Sequence, residues 1–187
     1  IKRSNISEYL KKINQDDRKK LRKLGVRFGR YHVFLFKLFK PSSVSLRILL
    51  WKSYNNKFLD LSPPTFGLNF LNNIKSTSKD FMLLCGFEKF DDIYVRIDIL
   101  ERLFLLIFNS EKDEKKEIKV IPEMLNLLGC TKEDFKKLMK KMDYKIYEKE
   151  KEFFIKYLPA KKKIAKKTDK TDYTNNPFSV LNQLNLK

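Results

Sequence analysis

The chain is poor in the residues that build metal and disulfide sites. It has two cysteines, Cys85 and Cys130, and a single histidine, His32, among 187 residues. Neither cysteine belongs to a C-x-x-C pair, and no cluster of Cys and His accompanies them, so no zinc site or disulfide framework is expected. Scattered carboxylates such as Asp91, Asp92, Asp98 and Glu101 do not suggest another metal site. Both thiols close apolar helical stretches and read as reduced, packed side chains of a cytoplasmic protein. Long apolar runs are also missing. The longest, Leu103–Phe108, is far short of the roughly 20 residues that a bilayer requires, so no membrane partner is expected. The first residues are charged and show no h-region, so no secretory signal is expected. Glycine-rich phosphate cradles are absent as well: Gly25 and Gly29 stand apart, and neither G-x-x-x-x-G-K-[ST] nor G-x-G-x-x-G occurs. His32 lies in an apolar run with no nucleophile motif to serve, so it reads as a packed or hydrogen-bonded residue. Asp91-Asp92 reads as a turn or strand end, and Asp98 and Glu101 as ion-pair partners of Arg96 and Arg102. No catalytic residue and no cofactor are expected in this stretch, and no enzyme activity of its own.

What the chain does contain is apolar bulk and positive charge. Hydrophobic residues make up 42% and aromatics 13%, with sixteen Phe against five Gly, which is enough for a packed core of helices and strands. Lys and Arg number 41 against 23 Asp and Glu, a net charge of +18. That excess favours a polyanionic partner, RNA or DNA ahead of an anionic membrane surface. The abundance of Lys, Asn, Ile and Phe also fits an AT-rich genome, which would add lysines with no binding role.

The expected fold class is α+β and helix-rich, in three parts. Residues 1–78 form a mixed helix and strand half. Ser7 caps a short helix, Asp16-Asp17 opens a second that runs to Leu24, Val26–Leu35 is a β-like run interrupted by Arg27 and Arg30, and Val44–Tyr54 is a helix apolar on two sides and therefore buried. The Pro- and Asn-rich stretch Asn55–Ser78 is a long connection. In the second part, residues 79–159, Lys79–Cys85 is a short helix, Phe87–Phe90 a strand and Tyr94–Asn109 a strong helix, followed by the charged loop Ser110–Glu117. The third part, 160–187, is a basic linker, Ala160–Thr174, and a short helix, Asn176–Leu186.

The stretch from Glu117 to Leu158 carries the most information. Ile118–Ile121 is strand-like, Pro122 starts a helix that Gly129 stops, and Thr131 with Asp134 three residues later makes a capping-box-like start to the next. Phe135, Leu138, Met139 and Met142 then form one apolar stripe. Tyr144–Tyr147 and Phe153–Leu158 make a ribbon around the turn Glu148–Lys151. This order resembles a winged helix, with Tyr94–Asn109 as its first helix. Opposite the stripe, Lys132, Lys136, Lys137, Lys140 and Lys141 share a helix face, with no acid after Asp134. Such a face suits contacts to phosphates, aided by Lys145, Lys149, Arg27 and Arg30. The alternative is a solvated side of a lysine-rich helix.

Several runs are similar to one family. Leu24-Gly25-Val26-Arg27-Phe28-Gly29-Arg30-Tyr31, then Phe34-Leu35 and Leu38-Phe39-Lys40-Pro41, then Leu49-Leu50-Trp51, resemble the C-terminal region of alphaproteobacterial superfamily II DExH-type helicases. Cys85-Gly86-Phe87, the run Val95 to Leu103, Pro122 to Leu125, Leu127 to Cys130, Glu133-Asp134-Phe135 and Pro177 to Leu181 continue the likeness in order, across about residues 15–186. Phe36 departs from it, standing where that family has proline. These helicases are distantly similar to the RNA helicase of the mitochondrial degradosome. The resemblance implies a fragment of a larger motor whose ATP and Mg sites lie upstream, in keeping with a first residue that is Ile and not Met.

The expected function is therefore an accessory nucleic-acid-binding region of an ATP-dependent helicase, with RNA favoured over DNA and the motor domains as partners. An alternative is a protein-docking module that tethers the helicase to a partner such as a nuclease through Phe178–Leu186. A free-standing operator-binding regulator ranks last, since a lysine face offers few base-reading groups.

Overall fold

Strand Ile93–Arg96 organises the molecule because its alternate side chains point into two different cores. In the computed structural model, which describes residues 1–55, 61–72, 78–110, 117–149 and 152–158, Ile93 and Val95 enter one apolar cluster and Tyr94 enters another. The strand's two-residue period produces this division. Tyr94–Arg96 was expected to be helix, and the structure corrects this: β5 (Ile93–Arg96) precedes α5, which begins at Ile97 and runs to Asn109. A strand buried on both faces has no polar side to reveal its period, so it reads as a continuation of the apolar helix after it.

Among the described residues the fold is mixed, with seven α-helices and three small antiparallel sheets. The first half contributes α1 (Ser7–Lys12), α2 (Gln15–Lys23), β1 (Val26–Phe28), β2 (Val33–Leu35), α3 (Pro41–Tyr54) and β3 (Phe70–Leu71). Asn14 caps α2 by accepting from the Asp17 amide at 2.7 Å. β1 and β2 pair as a hairpin, Val26 opposite Leu35 and Phe28 opposite Val33, so the single β-like run expected over Val26–Leu35 is corrected to two strands with a reversal between them. Phe36 opens one turn of 3-10 helix ending at Phe39.

α4 (Lys79–Leu84) and β4 (Phe87–Phe90) follow, and the central sheet has the order β3-β5-β4. One of its strands comes from before residue 78 and two from after it. The smaller core lies on one side of this sheet, where Val44 and Ile48 of α3 meet Phe81, Met82, Phe87 and Tyr94. The larger core lies on the other side. There Leu100, Leu103 and Ile107 of α5 meet Met124 and Leu128 of α6 (Pro122–Leu128), Leu138 and Met139 of α7 (Lys132–Lys141), and Ile155.

β6 (Ile118–Lys119), β7 (Tyr144–Lys149) and β8 (Glu152–Tyr157) complete the chain order α5-β6-α6-α7-β7-β8, with the sheet ordered β6-β8-β7. Gly129 ends α6 in the left-handed region at φ 66°, and the Thr131 hydroxyl oxygen accepts from the Asp134 amide at 3.1 Å to start α7. Both features follow the local sequence.

One expected burial is corrected. α3 was read as buried on two sides, yet only one stripe is covered, Val44 and Ile48 buried and Trp51 half-buried, while Leu46, Leu49, Leu50 and Tyr54 are 56–89% exposed. One helix needs one apolar stripe to join a core, and nothing among the described residues packs on the second. The linker Ala160–Thr174 and the helix expected over Asn176–Leu186, with its docking contact, lie outside the described residues, as do parts of the loops expected over Asn55–Ser78, Ser110–Glu117 and Glu148–Lys151.

Candidate nucleic-acid interface

The β1–β2 reversal is built around a carboxylate from α5. Glu101, one helical turn after Asp98, is buried at the hairpin, and it accepts from the backbone amides of Arg30, Tyr31 and His32 at 2.6, 3.0 and 2.7 Å. Three consecutive amides pointing at one anion form a concave nest. The carboxyl lies so close to Gly29 that a Cβ there would collide with it and with the His32 carbonyl, which is why the reversal begins on glycine. Glu101, with Asp98, was expected to pair with Arg96 and Arg102, and the structure corrects this for Glu101: its partners lie about seventy positions earlier in the chain. Asp98 does pair with Arg96, in a bidentate contact at 2.7 and 3.0 Å.

His32 extends the same network, and it is hydrogen-bonded as well as packed. Its Nδ1 meets Glu101 at 3.0 Å, its Nε2 meets Glu88 at 3.2 Å, and Lys2 holds the other Glu88 oxygen at 2.6 Å. A carboxylate at each ring nitrogen favours the imidazolium, the form that can donate from both. Burial alone would lower its pKa, but the hydrogen bonds to Glu101 and Glu88 outweigh burial and raise it. Burial alone would raise the two carboxyls, but His32 holds both below the ordinary range, together with Lys2 at Glu88 and the backbone amides at Glu101.

These shifts have opposite consequences for stability. The His32 contribution is complete below its unfolded value of about 6.5 and fades as pH rises through the raised folded value. The Glu88 and Glu101 contributions are complete above about 4.3 and fade as pH falls through the depressed folded values. Thermal unfolding followed from about pH 6 to about pH 9 should therefore show a falling midpoint. His32→Gln should start lower and lose this slope, and an equally steep slope in that variant would refute the assignment.

The anchored hairpin and α5 form the walls of a cleft of about 690 Å³. Arg3, Arg22, Arg27, Arg30 and Arg102 line it, interleaved with Phe28, Phe34, Phe36 and Phe108. All five arginines reach solvent. The two acids in the lining, Asp98 and Glu101, are already engaged as described, and neither Arg27 nor Arg102 has a carboxylate partner among the described residues. The Arg22 guanidinium lies 5.8 Å from the centre of the Phe28 ring, and that of Arg30 lies 5.9 Å from the Phe108 ring. Arg3 donates to the Gly29 carbonyl at 3.0 Å. A second hollow of about 510 Å³ shares Arg3, Arg30 and Phe104 with the first and extends it toward Tyr157 on β8.

The lysine face of α7 is less uniform than its sequence. Lys136 sits 3.9 Å over the Phe153 ring and 3.7 Å from Glu148. Lys141 is clasped by Asp91 at 2.6 Å and Asp92 at 3.2 Å, and Lys149 is held by Glu117. Lys137 reaches Asp134 at 3.6 Å, a surface contact of small worth. Lys132 lies 5.8 Å over Phe153, and Lys132, Lys140 and Lys145 have no acid partner among the described residues. After Asp134 the face is free of acids along its own helix, but Asp134 itself and acids of other elements reach its lysines.

Of the residues expected to bind, Arg27 and Arg30 share the cleft and the seven lysines lie on α7 and β7. Arg3, Arg22 and Arg102 were missed. The available signal was arginine alternating with phenylalanine around Phe28, but Arg102 on a distant helix gave none. Among the described residues no group of three or more His, Cys, Asp or Glu is placed to hold a metal ion, and no helix is long and apolar enough to cross a membrane. Comparison with family models, with curated proteins and with solved structures returns no match.

Proposed function

We propose that this chain is an accessory nucleic-acid-binding region that grips the sugar-phosphate backbone of RNA, or less readily DNA, beside a helicase motor. The observation that carries the reading is the cleft: five arginines line it, and both carboxylates in its lining are already hydrogen-bonded. Arginine suits phosphate because its planar fork donates in pairs. Arg27, Arg30 and Arg102 would make the principal contacts, and Lys132, Lys137, Lys140 and Lys145 would supply a weaker, longer-range field.

A winged-helix assignment for residues 97–157 is supported by the chain order helix, strand, helix, helix, strand, strand and by the placement of the first strand beside the last. The parent helicase, cytoplasmic and with ATP and Mg in its motor, rests on the family resemblance of the sequence. Contacts to phosphates position a strand without choosing its sequence, as a motor acting on many sequences requires.

The test is a titration of labelled oligonucleotides against salt. With about five phosphates neutralised, log affinity against log salt should slope near −3.5 on single strands, and a flat response would remove the proposal. The second reading is protein docking, which the apolar ridge of α3, uncovered among the described residues, favours. It would stand if the chain bound no oligonucleotide at any salt concentration.

A further inference from the structure

We infer that the cleft between the β1–β2 hairpin and α5 is a subsite for an unpaired nucleotide, which lays its base against Phe36 and Phe108 while its phosphates meet Arg27, Arg30 and Arg102. The inference rests on the nucleic-acid reading above and specifies its substrate as a single strand.

The mixture of groups points to an amphipathic occupant. Phosphate alone would need only the guanidinium groups, yet the same cleft leaves Leu105 61%, Phe108 60% and Phe36 45% exposed. Exposed apolar side chains and arginines in one cleft suit a ligand with a flat apolar face and an anionic edge, and a nucleotide outside a helix has both. A base within a duplex turns its faces to its neighbours and has none to offer a ring on the protein. Aromatic platforms beside a basic track are the means by which single strands are held without reading their sequence.

Two of the guanidinium groups are also held in position. Arg22 and Arg30 rest near the Phe28 and Phe108 rings, which limits the freedom they would lose on binding. The Arg30 backbone is tied to Glu101, so the hairpin wall of the cleft is set before a ligand arrives. Its volume of about 690 Å³ lies within the range of about 300–1,000 Å³ usual for small-ligand sites. The second hollow, sharing Arg3 and Arg30, gives the strand a path toward Tyr31 and Tyr157.

The experiment compares three probes on the unaltered chain: an oligouridylate of about ten nucleotides, the same backbone with every base removed, and a duplex of equal length. The base-bearing single strand should bind at least several-fold, and up to about a hundredfold, more tightly than the abasic strand, and more tightly than the duplex. In Phe36→Ala/Phe108→Ala the gap between base-bearing and abasic strands should close, with circular dichroism showing that the variant is folded. Equal affinity for base-bearing and abasic strands would overturn the nucleotide subsite and leave backbone binding standing. Failure of all three probes to bind would overturn both.

Discussion

Replacing Glu101 by alanine should lower the free energy of unfolding by about 3–5 kcal/mol, a large part of what a domain of this size has. The carboxylate is buried, and it satisfies three backbone amides and one nitrogen of the buried His32 ring, whose protonated form it favours. Its removal strands all of these at once, and an uncompensated buried charge is the larger part of the cost. Glu101→Gln keeps the volume and one good acceptor, so it should fall between the wild type and Glu101→Ala. Glu123→Ala, at an exposed site near the start of α6, should shift stability by less than about 0.5 kcal/mol. Urea unfolding curves for the three variants would test this order. A Glu101→Ala midpoint close to that of Glu123→Ala would show that the hairpin does not depend on the carboxylate.

The second large effect concerns binding. In Arg27→Ala/Arg30→Ala/Arg102→Ala the affinity for a single strand should fall about a hundredfold at moderate salt, taking roughly 1 kcal/mol for each phosphate that no longer meets a guanidinium. The salt slope should flatten by about 2, since each neutralised phosphate contributes about 0.7 on a single strand. Lys136→Gln/Lys141→Gln should cost less than about fivefold, because Glu148, Asp91 and Asp92 already counter those charges. Oligonucleotide titrations at several salt concentrations separate the two surfaces: if the lysine variant weakens binding more than the arginine variant does, the grip belongs to α7 and not to the cleft.

This difference between the two surfaces explains why the site was only half legible. Arg27 and Arg30 could be picked out because they interrupt an apolar run. The α7 lysines could be picked out because a helix repeats every three to four residues. Whether a lysine remains available depends on what faces it. Lys141 meets Asp91 across fifty positions of chain, and that proximity arises from the packing of α7 against the β4–β5 turn. Arg102 joins Arg27 only because α5 packs against the hairpin.

The amino-acid order was sufficient wherever the physics acts within about four residues. It gives the Thr131–Asp134 cap, the stop at Gly129, the acidic Asp16-Asp17 start of α2, and the Phe135-Leu138-Met139 stripe that buries α7. It also gives the ribbon of β7 and β8, whose connection is short. Long-range packing was needed for the rest: the boundary at Ile97 between β5 and α5, the turning of Glu101 away from Arg102 into the hairpin, and the exposure of one side of α3. A cap or an apolar stripe satisfies groups on its own segment, so its sequence records it. A buried carboxylate needs donors from wherever the chain returns, and the distance along the chain to those donors is not encoded near the carboxylate.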